Sequence, residues 1–316
     1  MAGMGRENEA TRDRYGETLI KIASEDRNVI AMDCDLGRST RSFMITETDS
    51  RRFIEMGIAE QDMISTAAGM ARMGKIVFVN SFAVFITGRA FDQIRQQVSL
   101  ARMNVKICGS SSGLTQGPDG ATHQSVLDVS MMRSLPNMMV LVPADGDQTE
   151  AAVYAAYRHE GPVYIRLSRY ATGPFLPAGI RFEVGKAQII AEGKDVVLVS
   201  SGPVMKNVIA ATEKLLKEGV RPGIVNMHTI KPFDVETIIE LAKRYRLIVC
   251  VEEHSIIGGL GSAVSETLAE AGSGARLVRL GVKDTFGESG TADELLTKHG
   301  LDTDGIVKSV MEVVGS

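Results

Sequence analysis

KIVFVNSFAVFITGRAFDQIRQQVSLARMNVKICGSS, residues 75–111, decides the fold. It opens with a β-branched run (KIVFVNS, 75–81), passes through a helix-like stretch from Gly88 to Arg102, and ends in a second β-branched run (NVKICGSS, 104–111). Near-continuous apolar runs of that length read as strands buried on both faces, and a helix between two of them makes a parallel crossover. The pattern extends outward. NVIAMDCD (28–35), MMVLVPA (138–144) and PVYIRLS (162–168) read as further strands, with helices over Glu60 to Arg72 and Gln148 to His159. The expectation is an α/β protein built on a doubly wound, mostly parallel sheet.

ATGPFLPAGIRF (171–182) then breaks the alternation with Gly and Pro, as a linker does. This predicts a first domain over 1–175, a linker at 176–182 and a smaller α/β domain over 183–316. In the second domain DVVLVSSG, RPGIVNMH, RLIVCVEEH and ARLVRLGV read as strands, and the helix between the first two is expected to carry Val208, Thr212, Leu215 and Leu216 on one side.

Composition excludes several function classes. With 44% hydrophobic and 23% charged residues over 316 positions, the chain belongs with well-filled globular proteins and not with disordered ones. A net charge of -4, with Lys and Arg dispersed, gives no footprint for nucleic acid. No apolar run reaches the roughly 20 residues of a membrane span, and Met1 to Arg14 is too polar for a signal peptide, so a cytoplasmic location is expected. Cys34, Cys108 and Cys250 are too scattered for a zinc or redox pair.

In a parallel sheet, ligands gather beyond the carboxyl ends of the strands. Three segments there stand out. SSSGLTQGPDGATHQ (110–124) is a long Gly-rich loop holding Asp119 and His123, readable as a binding loop or a solvated connector. FIEMGIAEQDMIS (53–65) places Glu60 at a helix start, where a carboxylate can simply favour the N-terminus. Phe82 and Phe85 follow a strand, positioned either to stack on a planar ring or to fill the core.

Taken in order, GIAEQ (57–61), the Phe82-x-x-Phe85 pair and GPDGATHQ (117–124) resemble the pyrimidine-binding domain of transketolases. VNMHTIKPFD (225–234) and VCVEEHSIIGGLGSAVSE (249–266) resemble the C-terminal domain of the same enzymes. The resemblance covers essentially the whole chain and implies the C-terminal subunit of a split, two-chain transketolase. The cofactor would be thiamine diphosphate, with Glu60 hydrogen-bonded to ring nitrogen N1′ of its aminopyrimidine, Phe82 and Phe85 packed on that ring, and Asp35 lining the pocket. By the same resemblance, Asp119 and His123 would contact sugar hydroxyls, His123 also assisting proton movement, while Arg169, Arg12 and Ser39 would bind the phosphate of a ketose or aldose phosphate. Ser111 stands where many transketolases have a histidine, and a serine cannot serve as acid or base near neutral pH. A ketose with an altered acidic head group is therefore a candidate substrate.

Whole transketolases also carry Gly-Asp-Gly followed by Asn, which hold a divalent metal and the diphosphate. Here Gly146 and Asp147 are followed by Gln148, so no metal ligands are expected in this chain. The resemblance implies a partner N-terminal subunit holding Mg2+ or Ca2+, in an α2β2 heterotetramer. The β-subunit of a 2-oxoacid dehydrogenase, a deoxyxylulose-phosphate synthase fragment and a noncatalytic regulatory subunit are the competing readings. GGLGSA (258–263) lacks the spacing of a dinucleotide loop and reads as a tight strand-to-helix turn.

Overall fold

The computed structural model describes Arg6 and residues 9–315, so the ends of the two expected domain ranges, 1–175 and 183–316, lie in part outside the described residues. Twelve strands are found among the described residues: β1 (Val29–Asp33), β2 (Phe53–Glu55), β3 (Ile76–Phe82), β4 (Val105–Ser110), β5 (Met139–Leu141), β6 (Val163–Arg166), β7 (Gln188–Ala191), β8 (Val196–Ser200), β9 (Pro222–Asn226), β10 (Thr229–Lys231), β11 (Leu247–Ser255) and β12 (Arg276–Val282). They form a seven-stranded sheet ordered β10-β5-β6-β4-β3-β1-β2 and a five-stranded sheet ordered β12-β11-β8-β9-β7. The fold is α/β. Pairing is parallel except at one edge of each sheet, β10 with β5 and β7 with β9. β1, β4, β6 and β8 are buried at every position, which explains why they read as unbroken apolar runs.

β10 follows the linker in sequence yet completes the first sheet, with Thr229 opposite Leu141. One apolar cluster accordingly runs from Val77, Ile107 and Tyr164 of the first sheet to Val197, Ile248 and Cys250 of the second.

Glu60–Arg72 is helical as expected. The helix expected from Gly88 begins earlier, at Ala83, immediately after β3, and its continuation is a π-helical turn over Ile94–Ser99. On the helix Met205–Lys217 the buried stripe is Val208, Ala211, Thr212 and Leu215. Leu216 is 53% exposed and does not belong to it, because it lies one step of about 100° past Leu215.

The strand order places β1 beside both β2 and β3, with the chain passing from β2 back over β1 to β3. That reversal opens a crevice at the carboxyl ends of β1 and β3. Cys34 and Asp35 follow the end of β1 and Phe82 closes β3, while the start of the helix at Glu60 is bonded to Ser81 of β3.

Candidate active site

The crevice is built from the β1 end outward. Asp33, fully buried, accepts hydrogen bonds from the Leu36 N–H (2.7 Å), Thr40 Oγ1 (2.7 Å) and Ser42 Oγ (2.8 Å), folding the DLGRST segment back across the strand end. Burial lifts its carboxyl to about 6, against these hydrogen bonds. Asp35 is exposed on the rim in a left-handed conformation (φ 62°), its N–H donating to Glu55 Oε1 (2.8 Å).

Glu60 begins its helix but is only 3% exposed. Its Oε1 accepts from Ser81 Oγ (3.2 Å) of β3, and both carboxylate oxygens accept from Arg89 Nη1 (3.0 and 3.1 Å). A carboxylate that merely favoured the helix end would face solvent; this one turns inward to side chains of other elements. It borders an open hollow of about 470 Å3 lined by Ile58, Ala59, Glu60, Gln61, Asp62 and Arg89. Phe82 and Phe85 stack at 5.9 Å with their planes 20° apart. The Arg89 guanidinium lies 4.1 Å above Phe85, and His123 meets that ring edge-on at 5.1 Å. Glu60, Phe82, Phe85 and His123 are thus joined in one wall through Arg89, a residue that sequence reasoning placed in a helix and gave no task.

The loop after β4 carries the remaining candidates. Ser110, opposite Phe82 in the β3–β4 ladder, and Ser111 are both fully buried, yet neither hydroxyl has a hydrogen-bond partner. Ser111 also holds a left-handed backbone (φ 53°), a conformation that costs a non-glycine residue of order 1 kcal/mol or more and concentrates at binding sites. Asp119 Oδ2 accepts from Gln116 Nε2 (2.5 Å) and pairs with Arg169 Nη1 (3.3 Å). Arg12 donates to Ser39 through that residue's main-chain carbonyl (3.0 Å), not its hydroxyl. Burial depresses the Arg12 pKa, and the charges of Arg41 and Arg169 push the same way against Asp13. Arg12, Ser39 and Arg169 therefore share one cationic corner, and Asp119 is tied to it.

The Gly-rich turn in the second domain is closed from within. Glu252 accepts from the Leu260 N–H (2.7 Å) and the Gly261 N–H (2.8 Å), so its carboxylate takes the helix N-terminus that an anion would need. Its neighbour Glu253, unremarked in the sequence, points instead into the first domain, where its Oε1 accepts from the Thr115 N–H (2.6 Å) and hydroxyl (2.7 Å).

Residues 7–174 match the family described as transketolase, pyrimidine binding domain, and residues 185–306 match transketolase, C-terminal domain. A chain of Methanocaldococcus jannaschii described as a transketolase C-terminal section is 43% identical, covering 95% of each chain. A 6-deoxy-6-sulfo-D-fructose transketolase subunit of a Clostridium species is 40% identical, covering 96% of this chain and 94% of that one. The solved structure of a split gene transketolase, an inactive beta4 tetramer, superposes with a TM-score of 0.89 at 42% identity, covering 97% of this chain and 98% of that one.

Proposed function

The chain belongs to the transketolase family, and on that footing we propose that it is the C-terminal half of a split enzyme that transfers a two-carbon ketol unit from a ketose to an aldose. In this reading it acts only with an N-terminal subunit bearing the diphosphate and Mg2+ or Ca2+ site, as an α2β2 assembly. Thiamine diphosphate, on which the family depends, supplies the electron sink for carbon–carbon cleavage. The residues present fit its pyrimidine half: a buried carboxylate beside an open hollow, next to a stacked aromatic pair. Glu60 would hold the ring nitrogen N1′ and a shared proton, and Phe82 and Phe85 would pack on the ring and exclude water. Asp35, on the rim, would approach the cofactor from the β1 side. His123 would move a proton at the substrate, Asp119 would hold a hydroxyl, and Arg12, Arg169 and Ser39 would bind the anionic head group.

The observation that carries this reading is the inward-turned Glu60 carboxylate standing in one wall with Phe82, Phe85 and His123. The test is co-expression with a Gly-Asp-Gly-bearing subunit, measuring ketol transfer with thiamine diphosphate and Mg2+ beside each subunit alone. Activity confined to the mixture supports the reading; a cofactor-bound complex that transfers no two-carbon unit from any ketose overturns it.

Within that activity, we propose a donor whose acidic head group differs from that of the common pentose and hexose phosphates. Ser111 brings a small hydroxyl where many transketolases have an imidazole, and it and Ser110 are buried with free hydrogen-bonding capacity. One relative is named for 6-deoxy-6-sulfo-D-fructose, a sulfonate-bearing ketose, and that name supports the reading. A donor panel containing sulfonated and phosphorylated ketoses decides the matter, and strong preference for xylulose 5-phosphate removes the proposal.

A further inference from the structure

We infer that Glu253 is a positioning residue through which the second domain holds the loop bearing Asp119 and His123 in its sugar-facing shape, an inference that rests on the function proposed above. Glu253 lies in β11 and is 3% exposed, with its carboxylate directed across the domain junction. It accepts both the N–H and the hydroxyl of Thr115, at 2.6 and 2.7 Å. A buried hydrogen bond is costly to leave unmade, and two from one residue fix its backbone as well as its rotamer. The fit is close on the loop side too: at Gly113, with φ +76°, a Cβ would stand 2.2 Å from Glu253 Oε1. Only glycine lets the main chain rest against the carboxylate there.

The contact reaches further than the loop. Thr115 Oγ1 also lies 3.3 Å from Ser168 Oγ. The Ser168 N–H donates to Thr11 Oγ1 (2.7 Å), and its carbonyl accepts the N–H of Arg12 (3.2 Å). Ser168 immediately precedes Arg169. One carboxylate of the second domain therefore supports, through a single threonine, both the segment after β6 that carries Arg169 and the start of the helix Thr11–Glu25 that carries Arg12. Arg166 fixes the same junction, donating to the carbonyls of Glu253 (2.9 Å) and Ser125 (3.2 Å) while pairing with Asp128. At the far end of the loop Gln124 Nε2 donates to the Glu288 carbonyl (2.8 Å), again in the second domain. Both ends of the segment 113–124 are thus held from outside its own sheet.

If Glu253 were only cement between domains, its loss would loosen the whole chain and lower every activity parameter together. Positioning predicts a selective result. The test compares the wild type with Glu253→Ala, Glu253→Gln and Thr115→Val by hydrogen exchange on the full chain, and by ketol transfer and thiamine diphosphate binding in the two-subunit complex. In Glu253→Ala and Thr115→Val, exchange in residues 113–124 should rise about tenfold or more with β1, β3 and β8 unchanged, as loss of a buried hydrogen bond implies. Donor KM should rise about tenfold, kcat should change less, and cofactor affinity should stay within about twofold. Glu253→Gln, which keeps an acceptor oxygen, should recover most of both effects. Unchanged exchange in 113–124, or an equal rise across both sheets, overturns the inference, as does a fall in kcat with donor KM unmoved. If the wild-type complex shows no ketol transfer, the proposed function fails while the exchange measurement still decides the role of Glu253.

Discussion

Arg89 closes over Glu60: its Nη1 stands 3.0 and 3.1 Å from the two carboxylate oxygens while its guanidinium rests 4.1 Å above the ring of Phe85. The pair covers the two features that a pyrimidine would use, the carboxylate and the aromatic face. Arg89 is 47% exposed at its side chain and Glu60 3%, so the arginine is the movable partner. On the proposed function, the cofactor would have to displace it from Glu60 before the ring nitrogen could be bonded.

Arg89→Met should therefore tighten thiamine diphosphate binding in the complex. An ion pair with one exposed partner is worth about 1 kcal/mol or less, which limits the gain to roughly fivefold. Titration of the cofactor by calorimetry reads it directly. Weaker binding in the variant would make Arg89 a cofactor contact and end the displacement idea.

Glu60→Gln keeps the shape of the side chain but removes the carboxylate that is proposed to share a proton with N1′. A group engaged in proton transfer contributes typically about 10²–10⁴-fold, so kcat should fall within that range while the thermal midpoint of the chain moves little. A loss of less than about tenfold would put the proton elsewhere. Steady-state kinetics with saturating cofactor separate this from a binding defect.

Ser111→His returns the imidazole that many members of the family carry. His tolerates a left-handed backbone better than most residues, but Ser111 is fully buried, so the larger ring should cost about 1–3 kcal/mol of stability by overpacking. Donor preference should shift toward xylulose 5-phosphate and away from a ketose with a modified head group. Equal loss on every donor tested would show that Ser111 holds the loop without choosing the substrate.

What could be read beforehand follows from how each feature is encoded. β1, β3, β4 and β8 announce themselves because burial on both faces forces unbroken apolar runs. β2, β7 and β10 do not, since each is a short strand at the edge of its sheet, where no burial on both faces forces a longer apolar run, and β10 gains its place only by pairing with a strand some 90 positions earlier. Phe82, Phe85 and Glu60 were legible as motif residues, and their mutual geometry was not. Arg89 escaped because GRAFDQIR reads fully as a helix, its charge finding Glu60 only after β3 and the Glu60 helix have packed. Glu253 escaped for a stronger reason: its partner Thr115 lies 138 residues away in the other domain, and nothing local in VCVEEH distinguishes the carboxylate that caps a helix from the one that crosses the junction.

His228 gives a pH-dependent test of the junction itself. It lies between β9 and β10, fully buried, stacked on Phe182 of the linker at 4.2 Å, with Nδ1 2.9 Å from Thr229 Oγ1 and Nε2 without a partner. Burial depresses its pKa to about 4, from an ordinary 6.5. A base whose pKa falls on folding binds its proton more readily in the unfolded chain, so the stability tied to its neutrality is complete above 6.5 and is lost as pH falls toward 4. At 1.36 kcal/mol per pH unit the full loss is at most about 3 kcal/mol. Asp33, lifted to about 6, acts in the opposite sense, stabilising as pH falls, so absolute curves mix the two. The informative quantity is the difference between wild type and His228→Phe, which keeps the ring against Phe182 and cannot be protonated. Urea unfolding at pH 7.5, 6.0, 5.0 and 4.5 should show the wild type losing ground to the variant steadily below 6.5. Parallel curves would mean that the imidazole accepts its proton without leaving the fold, and that the junction around the linker opens locally to water.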